Sequence, residues 1–181
     1  MEVIATELPG VLRLCPKVFS DDRGWFAEIW NETRFRENEF PSHFVQDNQS
    51  RSNRHVLRGL HFQLHQPQGK LVRAVAGRIF DVAVDIRRSS AHFGRWVGVE
   101  LSADLPEMLW IPPGFAHGFL VLSESADVLY KTTDYYSPAS ERTILWNDPA
   151  LAIRWPLTAP PIVSAKDVAG TVLDQTELPN S

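Results

Sequence analysis

The sequence predicts an all-β fold of the sandwich or barrel type. Short apolar or alternating segments recur along its 181 residues and are separated by turn residues. Ten phenylalanines and six tryptophans suit broad sheets better than a helical bundle. Thirteen prolines, five of them after residue 147, leave little room for long helices. A chain of this length is expected to form one domain, here spanning residues 1–181.

The N-terminal part alternates short strands with turns and one short helix. Asn31 suits the N-cap of that helix, which we expect over 31–38. A strand from 25 to 30 would place Phe26, Glu28 and Trp30 on one face. The other elements predicted here are strands over 11–14, 18–19, 44–50 and 56–63 and a turn over 20–24.

The C-terminal part is predicted to continue the sheets and to end in a tail that wraps the surface. The segment 80–86 alternates apolar residues with Asp81, Ala83 and Asp85, which predicts a half-buried strand. From Asn147 onward we expect irregular chain with one helical turn over 168–173. Further strands are predicted over 70–76, 96–101, 108–111, 116–122, 128–132 and 143–146.

The turn before residue 115 narrows the fold class. Pro112, Pro113 and Gly114 form a tight turn that leads into a strand carrying His117. Together with the many short strands, this pattern favours a cupin-like jelly-roll barrel with short peripheral helices. Barrels of this kind bind ligands in their mouths.

Composition excludes several kinds of partner. The net charge of −4 gives no support for a nucleic-acid surface. Cys15 is the single cysteine and forms no internal disulfide. No apolar run is long enough for a membrane span, and residues 1–20 lack a signal-peptide pattern. We therefore expect a cytoplasmic protein with neither nucleic-acid nor membrane partners.

The strand 56–63 carries the most informative residues. It is apolar and β-prone, yet it contains Arg58 and His61, which would be costly to bury without partners. Residues three apart on a regular strand point to opposite faces. A bulge at Gly59 would break that period and let both side chains face one cavity.

Two histidines far apart in sequence are the first candidates for chemistry. A barrel can bring His61 and His117 into one lumen as an acid–base or ligand pair, although each also fits a hydrogen-bonded core position. A metal site is disfavoured. Cupin metal sites use a His-x-His pair and a nearby glutamate, whereas this chain has Gln63 and Lys70 at the corresponding places.

Other polar residues suggest an anionic ligand and a proton donor. Arg58 suits a phosphate, and Arg23 and Lys70 add positive charge. Tyr130 can pack in a sheet or donate a proton in a dry cavity, and a second tyrosine ring can stack on a flat base. Asp167 can cap a surface helix or fold back to orient a histidine.

Long motifs in the chain resemble the dTDP-4-dehydrorhamnose 3,5-epimerase family. The resemblance runs over nearly the whole chain. It rests on segments 19–24, 44–50, 56–63, 69–72, 80–87, 110–119, 146–149 and 164–167.

The resemblance implies a cofactor-independent enzyme that binds no metal. Its substrate would be dTDP-4-dehydro-6-deoxy-D-glucose, inverted at C3 and C5 of the sugar. By similarity, His61 is the base supported by Asp167, Tyr130 is the acid on the opposite face, and Lys70 lies beside the keto oxygen. Tyr136 is expected to stack on the thymine. A homodimer with exchanged N-terminal strands is also implied.

The family also implies a set of substrate contacts, some of them from the partner subunit. These expected contacts are Arg23, Phe26, Glu28, Gln46, Asp47, Asn48, Arg58, Lys70, His117, Tyr136, Glu141 and Lys166. Three alternatives remain open from the sequence. They are an epimerase acting at one carbon of a related dTDP-4-keto sugar, a metal-dependent cupin isomerase or oxygenase, and a non-catalytic nucleotide-sugar binding protein.

Overall fold

The computed structural model describes residues 1–179, which fold as two large antiparallel sheets, one two-stranded sheet and two short α-helices. The first half contains β1 (Glu2–Ala5), β2 (Leu12–Cys15), β3 (Val18–Asp21), β4 (Gly24–Ala27), α1 (Glu32–Glu37), β5 (Gln46–Asn53), β6 (Leu57–Gln63) and β7 (Lys70–Ala76). The second half contains β8 (Arg78–Asp85), β9 (Trp96–Ser102), β10 (Met108–Ile111), β11 (Phe115–Val121), β12 (Ser125–Thr132), β13 (Glu141–Thr143) and α2 (Ala165–Val168).

The two large sheets form the walls of a jelly-roll barrel. One has the strand order β1-β2-β10-β7-β12-β5, and the other has the order β13-β6-β11-β8-β9. Val72 and Val128 from the first sheet pack with Ile79 and Val121 from the second in one buried cluster. This cluster fills part of the barrel interior, and the remainder is lined by polar side chains. The predicted cupin-like jelly roll is confirmed.

Strand β6 carries the bulge that the sequence predicts. His61 pairs with His117 on β11, and Arg58 pairs with Phe119. Between these two pairs β6 contains one residue more than β11, which is a bulge. Gly59 has φ +125°, which favours glycine, and a Cβ there would lie 2.5 Å from the Gly118 Cα. As a result, Arg58 and His61 line the same cavity, and the prediction is confirmed.

Strand β8 is not half-buried as predicted, because both of its faces are covered. Asp81 and Asp85 are fully buried. The apolar face of Val82 and Val84 does not point into the barrel; it packs under the C-terminal tail, against residues such as Leu151. Alternation alone cannot reveal a covering segment that comes from about 70 residues away.

The helical predictions hold in part. Asn31 accepts a hydrogen bond from the Arg34 backbone N–H at 3.2 Å and caps α1, as expected. In the tail, the single turn expected over 168–173 is replaced by α2 and by a 3-10 turn at Leu173–Gln175. Both pack on the barrel, so tertiary contacts rather than local propensity fix their bounds.

Most predicted strands differ from the observed ones by one to three residues at one or both ends, and two of these differences concern expected site residues. The strand expected over 25–30 ends at Ala27, so Glu28 and Trp30 lie outside it, and the one expected over 143–146 lies at Glu141–Thr143. Across residues 1–179, α1 is the longer of the two α-helices, with six residues, and no helix is of a length and apolarity to cross the bilayer.

Candidate active site

A cavity of about 320 Å³ opens between the two sheets. The five-stranded sheet contributes His61 and His117, and the six-stranded sheet contributes Lys70 and Tyr130. Of the residues predicted for the site, the structure brings these nine to the cavity wall: Gln46, Asn48, Arg58, His61, Lys70, His117, Tyr130, Tyr136 and Glu141.

His61 forms a hydrogen-bonded pair with a buried carboxylate. Its Nε2 lies 2.5 Å from Asp167 Oδ1, and Asp167 Oδ2 accepts the Gly59 backbone N–H at 3.3 Å. Asp167 is only 2 % exposed, on α2. Burial alone would raise the pKa of Asp167, but its hydrogen bonds, led by that from His61, outweigh burial and lower it. The carboxylate is therefore ionised and oriented toward the imidazole.

A second imidazole–carboxylate pair lies beside the first. His117 Nε2 is 2.9 Å from Asp81 Oδ1, and both residues are buried. Burial lowers the pKa of His117, although the charge of Asp81 opposes that shift. His61 and His117 face each other on paired strands, so both histidines do line one lumen, as the sequence suggested.

Lys70 is a buried cation at the start of β7. Its burial lowers its pKa from 10.5 to about 8, against the opposing charges of Asp81 and Glu141. A lysine whose pKa is near 8 still carries its charge at neutral pH. It places that charge inside a cavity with restricted solvent, where its electrostatic effect is large.

Tyr130 stands on the wall opposite His61. It lies on β12, between β5 and β7, and its side chain packs against the apolar interior cluster. Burial raises the pKa of Tyr130. The phenol is therefore neutral and can donate a proton.

The cavity mouth is bordered by a carboxylate that two residues share. Glu141 Oε2 accepts the Tyr136 hydroxyl at 2.8 Å and lies 2.5 Å from Lys166 Nζ. Burial alone would raise the pKa of Glu141, but the hydrogen bonds from Lys166 and Tyr136 outweigh it and lower the pKa. Lys166 thus reaches the mouth from α2, one residue before Asp167.

Arg58 brings a free positive charge to the cavity. It is exposed to the lumen, and its Nε donates a hydrogen bond to Ser52 Oγ at 3.0 Å. Within residues 1–179, neither Nη group of Arg58 donates a hydrogen bond to a protein acceptor. A guanidinium held by one edge has its other edge available for an anion.

Four predicted contacts lie away from this cavity within one chain. Arg23 pairs with Asp21 at the tip of the β3–β4 hairpin, with its side chain 90 % exposed, and Phe26 on the same hairpin is 68 % exposed. Glu28 pairs with Arg34, 2.9 Å between Oε1 and Nη1. The side chain of Asp47 lies on the outer face of β5 and pairs with Lys131. None of these four side chains reaches the lumen of its own barrel.

The structure adds residues that the sequence did not single out for a role. Ser50 and Gln68 line the cavity, Asp81 supports His117, and Gln63 borders the lumen at the end of β6. The alternation of β5 was a usable signal for Ser50. Asp81 had no such signal, because its partner is on another strand. In the described part of the chain, no three His, Cys, Asp or Glu side chains are grouped to hold a metal ion.

A jelly-roll barrel with a histidine–carboxylate pair on one wall and a neutral tyrosine on the other defines a cupin-type acid–base enzyme. The protein-family model described as dTDP-4-dehydrorhamnose 3,5-epimerase matches residues 5–175. The chain therefore belongs to the dTDP-4-dehydrorhamnose 3,5-epimerase family.

Individual relatives agree with this assignment. The dTDP-4-dehydrorhamnose 3,5-epimerase of Salmonella typhimurium is 57% identical over 180 residues, which cover 98% of each chain. A Legionella pneumophila dTDP-6-deoxy-D-glucose-3,5-epimerase, solved with dTDP-4-keto-L-rhamnose, has a TM-score of 0.96 at 49% identity and covers 99% of this chain and 98% of its own.

One epimerase that is named for action at a single carbon shares the fold at lower sequence identity. A 3'-monoepimerase from Streptomyces bikiniensis, solved with dTDP-quinovose, has a TM-score of 0.89 at 31% identity and covers 94% of this chain and 87% of its own. The fold alone thus does not separate the two activities. The family model and the more similar relatives favour double epimerisation over the single-carbon alternative.

Proposed function

We propose that this chain inverts C3 and C5 of dTDP-4-dehydro-6-deoxy-D-glucose to give dTDP-4-dehydro-L-rhamnose. Family membership supports the reaction, and the sugar nucleotide named in the Legionella structure corresponds to the product. The observation that carries the proposal is the placement of the His61–Asp167 pair and Tyr130 on opposite walls of one cavity. Inversion of a carbon needs proton removal on one face and delivery on the other.

His61 is the proposed base for both carbons, each of which is next to the C4 ketone. Its Nε2 is engaged by Asp167, so the other ring nitrogen, Nδ1, is the atom that takes the proton. Asp167 holds the tautomer and stabilises the imidazolium that forms. The bond between carbon and hydrogen breaks, and its electron pair moves into the ketone to give an enolate.

Lys70 is proposed to stabilise that enolate. Negative charge develops on the C4 oxygen during proton removal. A buried ammonium beside that oxygen stabilises the transition state more than the ground state and so lowers the barrier. Removal of one oxyanion partner typically costs an enzyme about 10²–10³-fold in kcat. His117 and Asn48 line the same lumen and are proposed to contact the sugar.

Tyr130 is the proposed acid. Its phenol is kept neutral by burial, and it stands across the cavity from His61. Donation of the phenol proton to the enolate carbon, on the face away from His61, gives the inverted centre. Before the second step, the imidazolium of His61 releases its proton to solvent and the phenolate of Tyr130 takes one up, which restores the base and the acid. The ring must then present its second carbon to the same pair, which requires a change of sugar pose or pucker between the two steps.

The nucleotide is proposed to bind at the cavity mouth. Arg58 is proposed to bind the diphosphate, with Lys166 at the rim of the cavity. The half-exposed ring of Tyr136 is proposed to stack on the thymine. Gln46 and Glu141 complete the mouth on either side of Tyr136. No cofactor or metal takes part in the proposed reaction.

A homodimer is proposed to supply the contacts that one chain does not place in its own cavity. The β3–β4 hairpin is a separate two-stranded sheet, and such a unit is marginal unless it packs on something. It exposes Phe19 and Trp25 as well as Arg23 and Phe26. Insertion of this hairpin at the partner's cavity, with Glu28 and the Asp47 segment nearby, would bury the aromatics and add a cation for the diphosphate.

Deuterium exchange from solvent tests the proposed reaction. In heavy water, each inversion replaces a carbon-bound proton with deuterium from the acid, so we expect label at both C3 and C5 of the product. Proton NMR and mass spectrometry measure the two positions separately. Label at one carbon only would indicate a single-carbon epimerase, and no label would exclude the reaction.

A further inference from the structure

The segment that presents Tyr136 has almost no hydrogen bonds within its own backbone. It connects β12 to the 3-10 turn at Pro138–Ser140 and belongs to neither strand nor helix. Tyr136 itself is 50 % exposed, so packing does little to hold its ring, and its hydroxyl donates one hydrogen bond, to Glu141 at 2.8 Å. Its position therefore depends on that hydrogen bond and on the groups that hold the backbone on each side of it.

Two glutamine side chains hold the backbone directly beside Tyr136. The Tyr136 backbone N–H donates to Gln46 Oε1 at 3.0 Å. The Ser137 backbone N–H donates to Gln63 Oε1 at 2.7 Å, and Gln63 Nε2 donates to the Tyr135 carbonyl at 3.2 Å. Gln63 is therefore hydrogen-bonded to the peptide groups on both sides of Tyr136.

Gln63 is anchored well enough to act as this support. It is the last residue of β6 and is 4 % exposed. Its Nε2 also donates to the Gln66 carbonyl at 2.8 Å, so both amide hydrogens and the amide oxygen are engaged. A buried amide with every hydrogen used has one orientation, because a flip would face its donors toward N–H groups.

We propose that Gln63 is a positioning residue for nucleotide recognition, which acts by fixing the backbone on both sides of Tyr136. This inference rests on the proposed stacking of Tyr136 on the thymine. It explains why an exposed ring can offer a defined stacking surface before the nucleotide arrives. A preformed surface avoids the entropic cost of ordering the segment upon binding.

A double-mutant cycle tests whether Gln63 acts through Tyr136. Calorimetry would measure the dissociation constant of dTDP for the wild type, Gln63→Met, Tyr136→Ala and the double variant. Methionine keeps the size of the side chain and removes its hydrogen bonds. We expect Gln63→Met to weaken dTDP binding about tenfold in the wild type and by less than about twofold in the Tyr136→Ala background.

The control is Gln49→Met on the outer face of β5, which should leave dTDP binding unchanged. Equal losses in both backgrounds, or no loss in either, would overturn the role of Gln63. If Tyr136→Ala itself leaves affinity unchanged, the stacking assignment fails first and the inference fails with it. A loss with Tyr136→Ala but none with Gln63→Met would refute only the inference.

A second variant covers the case in which Gln63→Met does not fold. Gln63→Glu keeps the acceptor for the Ser137 N–H, and its carboxyl can donate to the Tyr135 carbonyl only when protonated. We expect dTDP affinity, relative to the wild type at each pH, to fall as pH rises through the titration of that carboxyl. A ratio that is independent of pH would contradict the inference.

Discussion

Lys70 is the residue whose chemistry depends most on where the fold places it. On a surface it would be one more solubilising charge. At the start of β7 it is buried, and the charges of Asp81, Glu141 and Lys166 shift its pKa. Its burial favours the neutral form, and the two carboxylates favour the charged form. The same reasoning applies to His61, whose role depends on the carboxylate behind it.

The pH dependence of activity should report Lys70 directly. With a pKa of about 8, Lys70 is charged below that pH and neutral above it, so kcat/KM should fall as pH rises through 8. In Lys70→Arg the guanidinium stays charged, and this basic limb should move upward or disappear, whatever the loss in rate. An identical limb in the variant would show that another group titrates.

Above pH 8, the contribution of Lys70 to stability should change in the opposite direction to activity. The folded pKa of Lys70 lies below its ordinary value of 10.5, so the folded state binds fewer protons than the unfolded state between pH 8 and 10.5. The contribution of Lys70 to the free energy of unfolding therefore rises over that window. Thermal melts recorded across the same pH range would separate a loss of activity from a loss of structure.

At the scale of elements, the bulge in β6 joins the fold to the site. One additional residue turns Arg58 toward the cavity while His61 keeps its place opposite His117. The space at the bulge is closed by β11, since a Cβ on Gly59 would lie 2.9 Å from the His117 carbonyl oxygen. Glycine is thus required for both backbone conformation and clearance.

Gly59→Ala should be costly for this reason. The clash and the positive φ together should reduce the free energy of unfolding by about 3 kcal/mol, or about 10 °C in Tm. Gly24→Ala is the matched control, because Gly24 has φ +126° but nothing within 4 Å of an added Cβ. It should cost about 1 kcal/mol of backbone strain alone. Equal losses in the two variants would remove the close approach of β11 from the explanation.

Elements also show what sequence can and cannot foretell. β7 was predicted at its observed bounds, and alternation placed Gln46, Asn48 and Ser50 on one face because local period decides both. The His61–Asp167 hydrogen bond joins residues 106 positions apart. The residues alone allow Asp167 to be a helix cap or a partner of a histidine, and only the family resemblance favours the second role. In the sequence, Gln63 stands out only as a departure from a metal motif, because its partners are backbone groups, which no residue type reveals.

At the scale of the whole molecule, two sheets bring groups from distant parts of the chain to opposite walls of one cavity. The apolar cluster of Val72, Val128 and Val121 fills the interior beyond the polar groups. The β3–β4 hairpin stands apart from both sheets and carries Arg23 at its tip. We propose that the site is complete only when a second subunit contributes this hairpin.

Mixed dimers test that exchange. His61→Ala and Arg23→Ala should each reduce activity strongly as homodimers. If the hairpin serves the partner's cavity, one site of each mixed dimer contains both His61 and the partner's Arg23. Equal mixing after unfolding and refolding should then restore about a quarter of wild-type activity. Activity no greater than the sum of the two variants would indicate that each hairpin serves its own barrel.

The central claim is that His61, held by Asp167, removes the protons from both carbons beside the ketone. The most direct measurement is the exchange of those protons for deuterium in heavy water, followed by NMR, in the wild type and in His61→Ala. We expect label at C3 and C5 with the wild type and none at either carbon with His61→Ala, while calorimetry shows that the variant still binds dTDP. Exchange at either carbon in the variant would contradict the account, because another group would then be the base.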